Sequence, residues 1–164
     1  MLTAERLREL LDYDAETGVF RWRHKRGNGC KAAGSIAGFP DERYIRIGIA
    51  RRTYRAHRLA WLWMTSHWPD EEIDHINGVK SDNRWSNLRG ATRAQNMRNQ
   101  GPRKDNTLGV KGVYKVSPNR YRVEIRHHGK LFRIGLFKTT EEAREVHGAL
   151  ARQLHGEFCH ADAS

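Results

Sequence analysis

The sequence predicts an α+β fold in two modules, on the strength of three observations. Runs that alternate apolar and charged residues recur at strand length, as in "TGVFRWR" and "RYIRIGI", which is the pattern of half-buried strands. Runs with apolar residues three and four apart follow a threonine near each end of the chain, a helix-start signal. Between 101 and 108 periodicity stops, and "GPRKDNTL" has the glycine, proline and charge of a linker.

Composition bounds the function. The chain has 164 residues, 38% of them hydrophobic, with five each of Trp, Tyr and Phe, so it can fill a core. Thirty Lys and Arg against nineteen Asp and Glu leave a formal charge of +11, the electrostatic footprint of a protein that binds a polyanion. Nucleic acid is the partner expected first. Only Cys30 and Cys159 are present, without a CxxC pair, so no structural zinc and no disulfide framework are expected. The opening "MLTAERLRELLDYD" has no apolar signal core, and no apolar run reaches the length that crosses a bilayer. A cytoplasmic protein without a membrane partner is expected.

Taken in order, Thr3, Glu5 and the stripe Leu7, Leu10 and Leu11 predict a short helix. Two strands follow, with Phe20 and Trp22 inward beside Arg21 and Arg23, and with Ile45, Ile47 and Ile49 inward beside Arg46. "GNGCKAAGSIAG" between them reads as loop. These basic strands make 1–55 an N-terminal α/β segment with a potential DNA-contacting face. "AHRLAWLWM", 56–64, is too rich in Trp and Leu for an exposed helix and predicts a buried one ending before Pro69. Asn77-Gly78 is a tight-turn signal, and Thr92 with Gln95 has capping-box spacing. Beyond the linker, "GVYKVSPNRYRVEIRHHGKLFRIGLFKT" gives three alternating runs, a three-stranded antiparallel meander. A helix follows, opened by Thr139 and Glu142, with Ala143, Val146, Leu150 and Leu154 on one face and Gly156 at its end.

The stretch 72–99, "EIDHINGVKSDNRWSNLRGATRAQNMRN", concentrates the chemistry. Hydrolysis of a phosphodiester requires a base to deprotonate water and a cation to neutralise charge on the phosphate and leaving oxygen. His75 suits the first task, and the Asp74 carboxylate suits a hard divalent cation. On an extended chain the two side chains leave opposite faces. Asn96, one turn into the helix begun at Thr92, can add an amide oxygen, with Asn99 a weaker candidate three residues on. Asn87 can tie the intervening loop to the backbone near His75. Each residue also has a plain alternative: Asp82 and Asn83 as turn residues, Arg84 and Arg89 as surface charges. His57 reads as a structural histidine.

These residues resemble the HNH motif of the ββα-metal endonucleases, especially phage-encoded and homing-type proteins that carry "AHRLAW" shortly upstream. The resemblance covers about 56–100 and implies a nuclease core there. It implies His75 as general base, Asn87 as the residue that positions it, and Asp74 as metal ligand. Asn96 stands where histidine is frequent, as in the HNN form. Oxygen donors imply Mg²⁺, or alternatively Mn²⁺. Products with 5′-phosphate and 3′-hydroxyl ends are implied, and nicking by a monomer is expected because one site cuts one strand. The rival expectations are a non-catalytic DNA-binding protein on the same scaffold and a structure-specific or RNA-directed nuclease.

The module 109–160 resembles AP2-type DNA-binding domains, whose sheet lies in the major groove. Alternation turns Tyr121, Val123 and Ile125 toward the helix and leaves Arg120, Arg122, Glu124, Arg126 and Arg133 outward for DNA. Arg21, Arg23 and Arg46 are the candidate contacts of the N-terminal segment.

Overall fold

The computed structural model describes residues 1–25, 32–103 and 105–159. Cys30 and much of the glycine-rich loop around it lie outside the described residues, as does the final residue of the module 109–160. The chain divides into two compact units, Met1–Arg93 and Ala94–Ser164.

In the first unit, Thr3 caps helix α1 (Ala4–Leu10) by accepting from the Arg6 N–H at 3.2 Å. The leucine stripe does not continue the helix. Leu11 turns extended and begins β1 (Leu11–Asp14), paired antiparallel with β2 (Val19–Trp22) so that Leu11 lies opposite Trp22. Pairing with β2 satisfies backbone groups that a longer helix would have used. Strands β3 (Phe39–Asp41), β4 (Tyr44–Ile49) and β5 (Arg52–Arg55) form an antiparallel sheet in that order. Ile47 and Ile49 are buried as the alternation predicts.

Helix α2 (Ala56–Thr65) follows β5 directly and buries Ala56, His57, Leu59, Ala60 and Leu62. It stops at Ser66, whose φ of +64° is left-handed. The hairpin of β6 (Glu72–His75) and β7 (Leu88–Ala91) pairs Asp74 with Arg89 and His75 with Leu88. Ile73 and Leu88 join the same core as Leu7, Leu11, Phe20, Trp22, Ile47, Leu59 and Leu62. Two- and three-stranded sheets this small cannot bury an apolar face alone, and here they share one core. Residues from the segments 1–55 and 56–100 thus meet in one core.

In the second unit, helix α3 (Arg93–Asn99) begins at the division itself. Lys111 ties its end down, donating to the carbonyls of Arg98 and Gln100, both at 2.6 Å. Strands β8 (Val113–Ser117), β9 (Arg120–His127) and β10 (Lys130–Phe137) form an antiparallel sheet with β9 central. Helix α4 (Thr140–His155) packs on it, with Val110, Val113, Val123 and Ala143 at the core. The Thr139 hydroxyl accepts from the Glu142 N–H at 3.1 Å, and Glu142 reaches back to the Lys138 N–H at 3.1 Å, so orphan donors at the helix start are satisfied. Leu108, assigned to the linker by composition, packs against this core. Asn106 folds that segment by donating to the Val110 carbonyl at 2.7 Å. No helix among the described residues is long and apolar enough to cross a membrane.

Candidate active site

Asp74 and His75 end β6 with side chains wholly buried, at 0% exposure each. A charge so placed needs a partner. The Asp74 carboxylate accepts from Arg89 on the facing strand, at 2.8 Å from Nη2 and 3.1 Å from Nε. Lys80, in the loop after the turn, adds an ammonium 3.8 Å from the other oxygen. Arg89 is therefore no surface charge: its side chain is 11% exposed. Burial pushes the Lys80 amine below its usual range, opposed by Asp74, while nearby Arg43 pushes further down and Glu72 pushes up.

His75 faces away from that ion pair. Its ring meets the ring of His57 edge-on, centroids 5.0 Å apart, and lies 6.3 Å from Tyr44. Arg55 caps the Tyr44 ring with its guanidinium carbon 4.5 Å from the centroid. The His75 Nε2 lies 3.4 Å from the Asn83 side-chain oxygen. Asn83 is itself oriented, because its amide donates to the Ser81 carbonyl at 3.1 Å. An amide oxygen can only accept, so this contact assigns the ring hydrogen to Nε2 and leaves Nδ1 in the acceptor form. Burial lowers the His75 pKa to about 4 and, with the neighbouring His75 adding to it, lowers that of His57 to about 3. Both rings are neutral at pH 7.

Asn87 braces the loop between the strands. Its oxygen accepts from the Asn77 N–H at 3.0 Å, its amide donates to the Asp82 carbonyl at 2.8 Å, and its own carbonyl accepts from the Ile76 N–H at 2.9 Å. Gly78, with φ of +74°, makes the turn and donates to the His75 carbonyl at 2.8 Å.

Asn96 and Asn99 lie on α3 and belong to the second unit, whereas Asp74, His75 and Asn87 belong to the first. Among the described residues no group of three or more His, Cys, Asp or Glu could hold a metal ion. The Asp74 carboxylate is the donor type that a hard divalent cation takes, with water and phosphate for the rest of its shell; here it accepts from Arg89 and stands 3.8 Å from the Lys80 ammonium.

The other candidates divide by unit. Arg21 donates to the Gly34 carbonyl at 3.1 Å, Arg23 pairs with Asp12 at 3.2 Å, and Arg46 pairs with Asp41. Each thus has an acceptor within the protein. On β9, Arg120 and Arg126 are exposed, while Val123 and Ile125 are buried on the opposite face. Glu124 accepts from Arg122 at 2.8 Å and from Arg133 of β10 at 3.1 Å, so it aligns two arginines on the outer face.

Sequence reading missed four side chains of the site: Asn83, Lys80, Arg89 and His57. A register across the hairpin would have found Arg89, but the connection from 76 to 87 is too long to fix one. For the others no spacing in the sequence gives a signal.

Residues 54–98 match a family model described as HNH endonuclease. An uncharacterized HNH endonuclease of Acanthamoeba polyphaga mimivirus is 37% identical over 89 residues, 54% of this chain and 46% of the viral protein. The chain thus spans about half the length of that relative. No solved structure matches. The matched span contains α2, the β6–β7 hairpin and most of α3, and so every residue placed around His75 except Tyr44. Residues 54–98 are thus similar to an HNH endonuclease domain.

Proposed function

We propose that the protein is a metal-dependent DNA endonuclease of the homing type, which nicks double-stranded DNA and leaves 5′-phosphate and 3′-hydroxyl ends. The observation that carries the reading is the fixed state of His75: neutral, and held by Asn83 with Nδ1 as acceptor. That is the form a general base requires. A substrate phosphate beside the ring raises its proton affinity, offsetting the loss caused by burial. Nδ1 then takes a proton from the attacking water, and Asn87 keeps the loop that carries Asn83 in register with β6. Asp74 would hold the divalent cation, with Asn96 as the second oxygen donor on motif spacing alone. When bound, that cation neutralises charge on the phosphate and the departing 3′ oxygen; Mg²⁺ suits the oxygen donors.

The second unit serves as the DNA reader in this proposal, in the manner of AP2-type domains. The exposed Arg120 and Arg126, with Arg122 and Arg133 aligned by Glu124, support it, since arginine recognises guanine edges and phosphates through its planar fork.

The test is incubation of the purified chain with supercoiled DNA and Mg²⁺. Wild type is expected to give nicked circles whose new ends carry 5′-phosphate, and His75→Ala to lose roughly 10²–10⁴-fold in rate. Equal cutting by the two proteins, or none by wild type on DNA of its native context, overturns the mechanism.

A further inference from the structure

A cleft of about 390 Å³ in the first unit opens between the β3–β4 turn and the loop 78–81. Its walls carry Arg43 and Tyr44 on one side and Gly78 and Lys80 on the other. Neighbours of both His75 and Asp74 line it. Tyr44 is packed 5.4 Å from His57 and 6.3 Å from His75, ring centre to ring centre, so one aromatic ring separates the cleft from the base. Lys80, 14% exposed, has its ammonium 3.8 Å from the Asp74 carboxylate.

The charge in this cleft is uneven. Arg89 already neutralises Asp74 through two hydrogen bonds at 2.8 Å and 3.1 Å. Lys80 is then a second cation on the Asp74 carboxylate, at the outer limit of ion-pair distance, with Glu72 adding a smaller attraction, and its partial burial costs solvation. Arg43 stands exposed at the mouth, near enough to Lys80 to repel it electrostatically. Glu42 is the one acid in the lining, against two cations. The walls are also set in shape: Glu42 has φ of +51° in its turn, and the Val79 N–H donates to the Asn77 side chain at 2.9 Å in the other. A half-buried surplus of positive charge beside a hydrolytic centre is completed by an anion, and the arginine fork with a lysine point charge suits a phosphodiester.

We infer that this cleft is a phosphate subsite for the strand being cut, in which Arg43 and Lys80 hold the phosphodiester next to the scissile one and Tyr44 forms the floor. The scissile strand is taken from the nuclease reading of the same centre. By fixing a neighbouring phosphate, the cleft sets which backbone linkage stands across His75, so it acts by positioning.

The experiment measures binding of the full chain to a duplex DNA fragment across a salt series in EDTA, where no cutting occurs. Each phosphate neutralised contributes about 0.9 to the slope of log K against log salt. Arg43→Ala and Lys80→Met are each expected to reduce the slope by about 0.9, and Arg43→Lys to recover it. Arg43 is exposed on a turn, so its variants report on the cleft even if Lys80→Met fails to fold. A slope unmoved by Arg43→Ala overturns the subsite. Nicking of supercoiled DNA in Mg²⁺ is measured in parallel: cutting with an unmoved slope removes the subsite and keeps the nuclease, whereas an Arg43-dependent slope without cutting removes the nuclease reading and keeps an anion site.

Discussion

Acidification should unfold the first unit through its buried histidines, and His57 allows the effect to be isolated. Its pKa falls from 6.5 to about 3, first because burial disfavours the charged ring and then because His75, Arg55, Arg58 and Lys80 repel a proton. Between those two values the unfolded chain holds a proton that the folded chain refuses. Stability is therefore complete above 6.5 and declines as the pH is lowered, by up to about 1.36 kcal/mol per unit. At pH 5 the accumulated loss from this one ring is about 2 kcal/mol, a large share of the 5–15 kcal/mol typical of a domain. His75, with a pKa of about 4, adds a loss in the same direction. Asp82, held down to about 2 chiefly by its hydrogen bond from Arg84, affects stability only below its normal 3.8 and lies outside this window. All five tryptophans, Trp22, Trp61, Trp63, Trp68 and Trp85, belong to the first unit, so urea denaturation followed by their fluorescence reports on that unit. His57→Phe keeps a ring against His75 and removes the proton site. The stability of the variant is expected to fall by about 2 kcal/mol less than that of wild type between pH 7.5 and 5, so the gap between the two proteins narrows on acidification. Parallel pH profiles for the two proteins would refute the assignment of a buried neutral His57.

Four further outcomes follow from the contacts around the site. Arg89→Leu leaves Asp74 buried with one distant cation and should cost about 3–5 kcal/mol in the same denaturation assay. Leu59→Ala, at a wholly buried position of α2, should cost about 2–5 kcal/mol, within the range for cavities in packed cores. Gly18→Ala meets two obstacles, a φ of +73° and a new Cβ that would stand 2.4 Å from both the Arg84 nitrogen and the Asn83 carbonyl carbon; it should shift the Asn83 loop and lower nicking rate along with stability. Tyr13→Phe removes the hydroxyl that donates to the Asn83 carbonyl at 2.7 Å, and should cost about 1–3 kcal/mol with a fall in nicking that the thermal stability of the variant at assay temperature does not account for.

The elements were legible where a local rule governs them. Thr139 caps α4 and Gly156 ends it because capping depends on residues within one turn. Phe20, Trp22, Ile47 and Ile49 are buried because strand alternation is a property of the chain itself. Asp74 and His75 were legible as neighbours on an extended segment. What escaped was every fact set by tertiary register. Leu11 completes a helical stripe with Leu7, yet it is a strand residue because Trp22 lies opposite it. Arg89 faces Asp74 only once β6 and β7 pair, and Asn83 reaches His75 only because the loop between them is folded by Asn77, Asp82 and Asn87. His57 looked like an isolated polar residue on an apolar helix; the packing of α2 brings its ring against His75.

The N-terminal hairpin has a structural part that its arginines did not suggest. Arg21 and Arg23 spend hydrogen-bonding capacity on Gly34, Arg8 and Asp12, while the opposite side of the hairpin grips the loop that carries Asn83. Tyr13 donates to the Asn83 carbonyl, the Trp85 N–H donates to the Ala15 carbonyl at 2.9 Å, and Gly18 packs against the Asn83–Arg84 backbone. Burial and the nearby Asp14 and Asp82 push the Tyr13 phenol well above its usual range, so it stays a donor. A chain of contacts thus runs from β1 through Asn83 to the His75 Nε2. A fragment begun at residue 56 would keep His75 and lose the hairpin that holds the Asn83 loop, because part of what surrounds His75 lies outside the matched span 54–98.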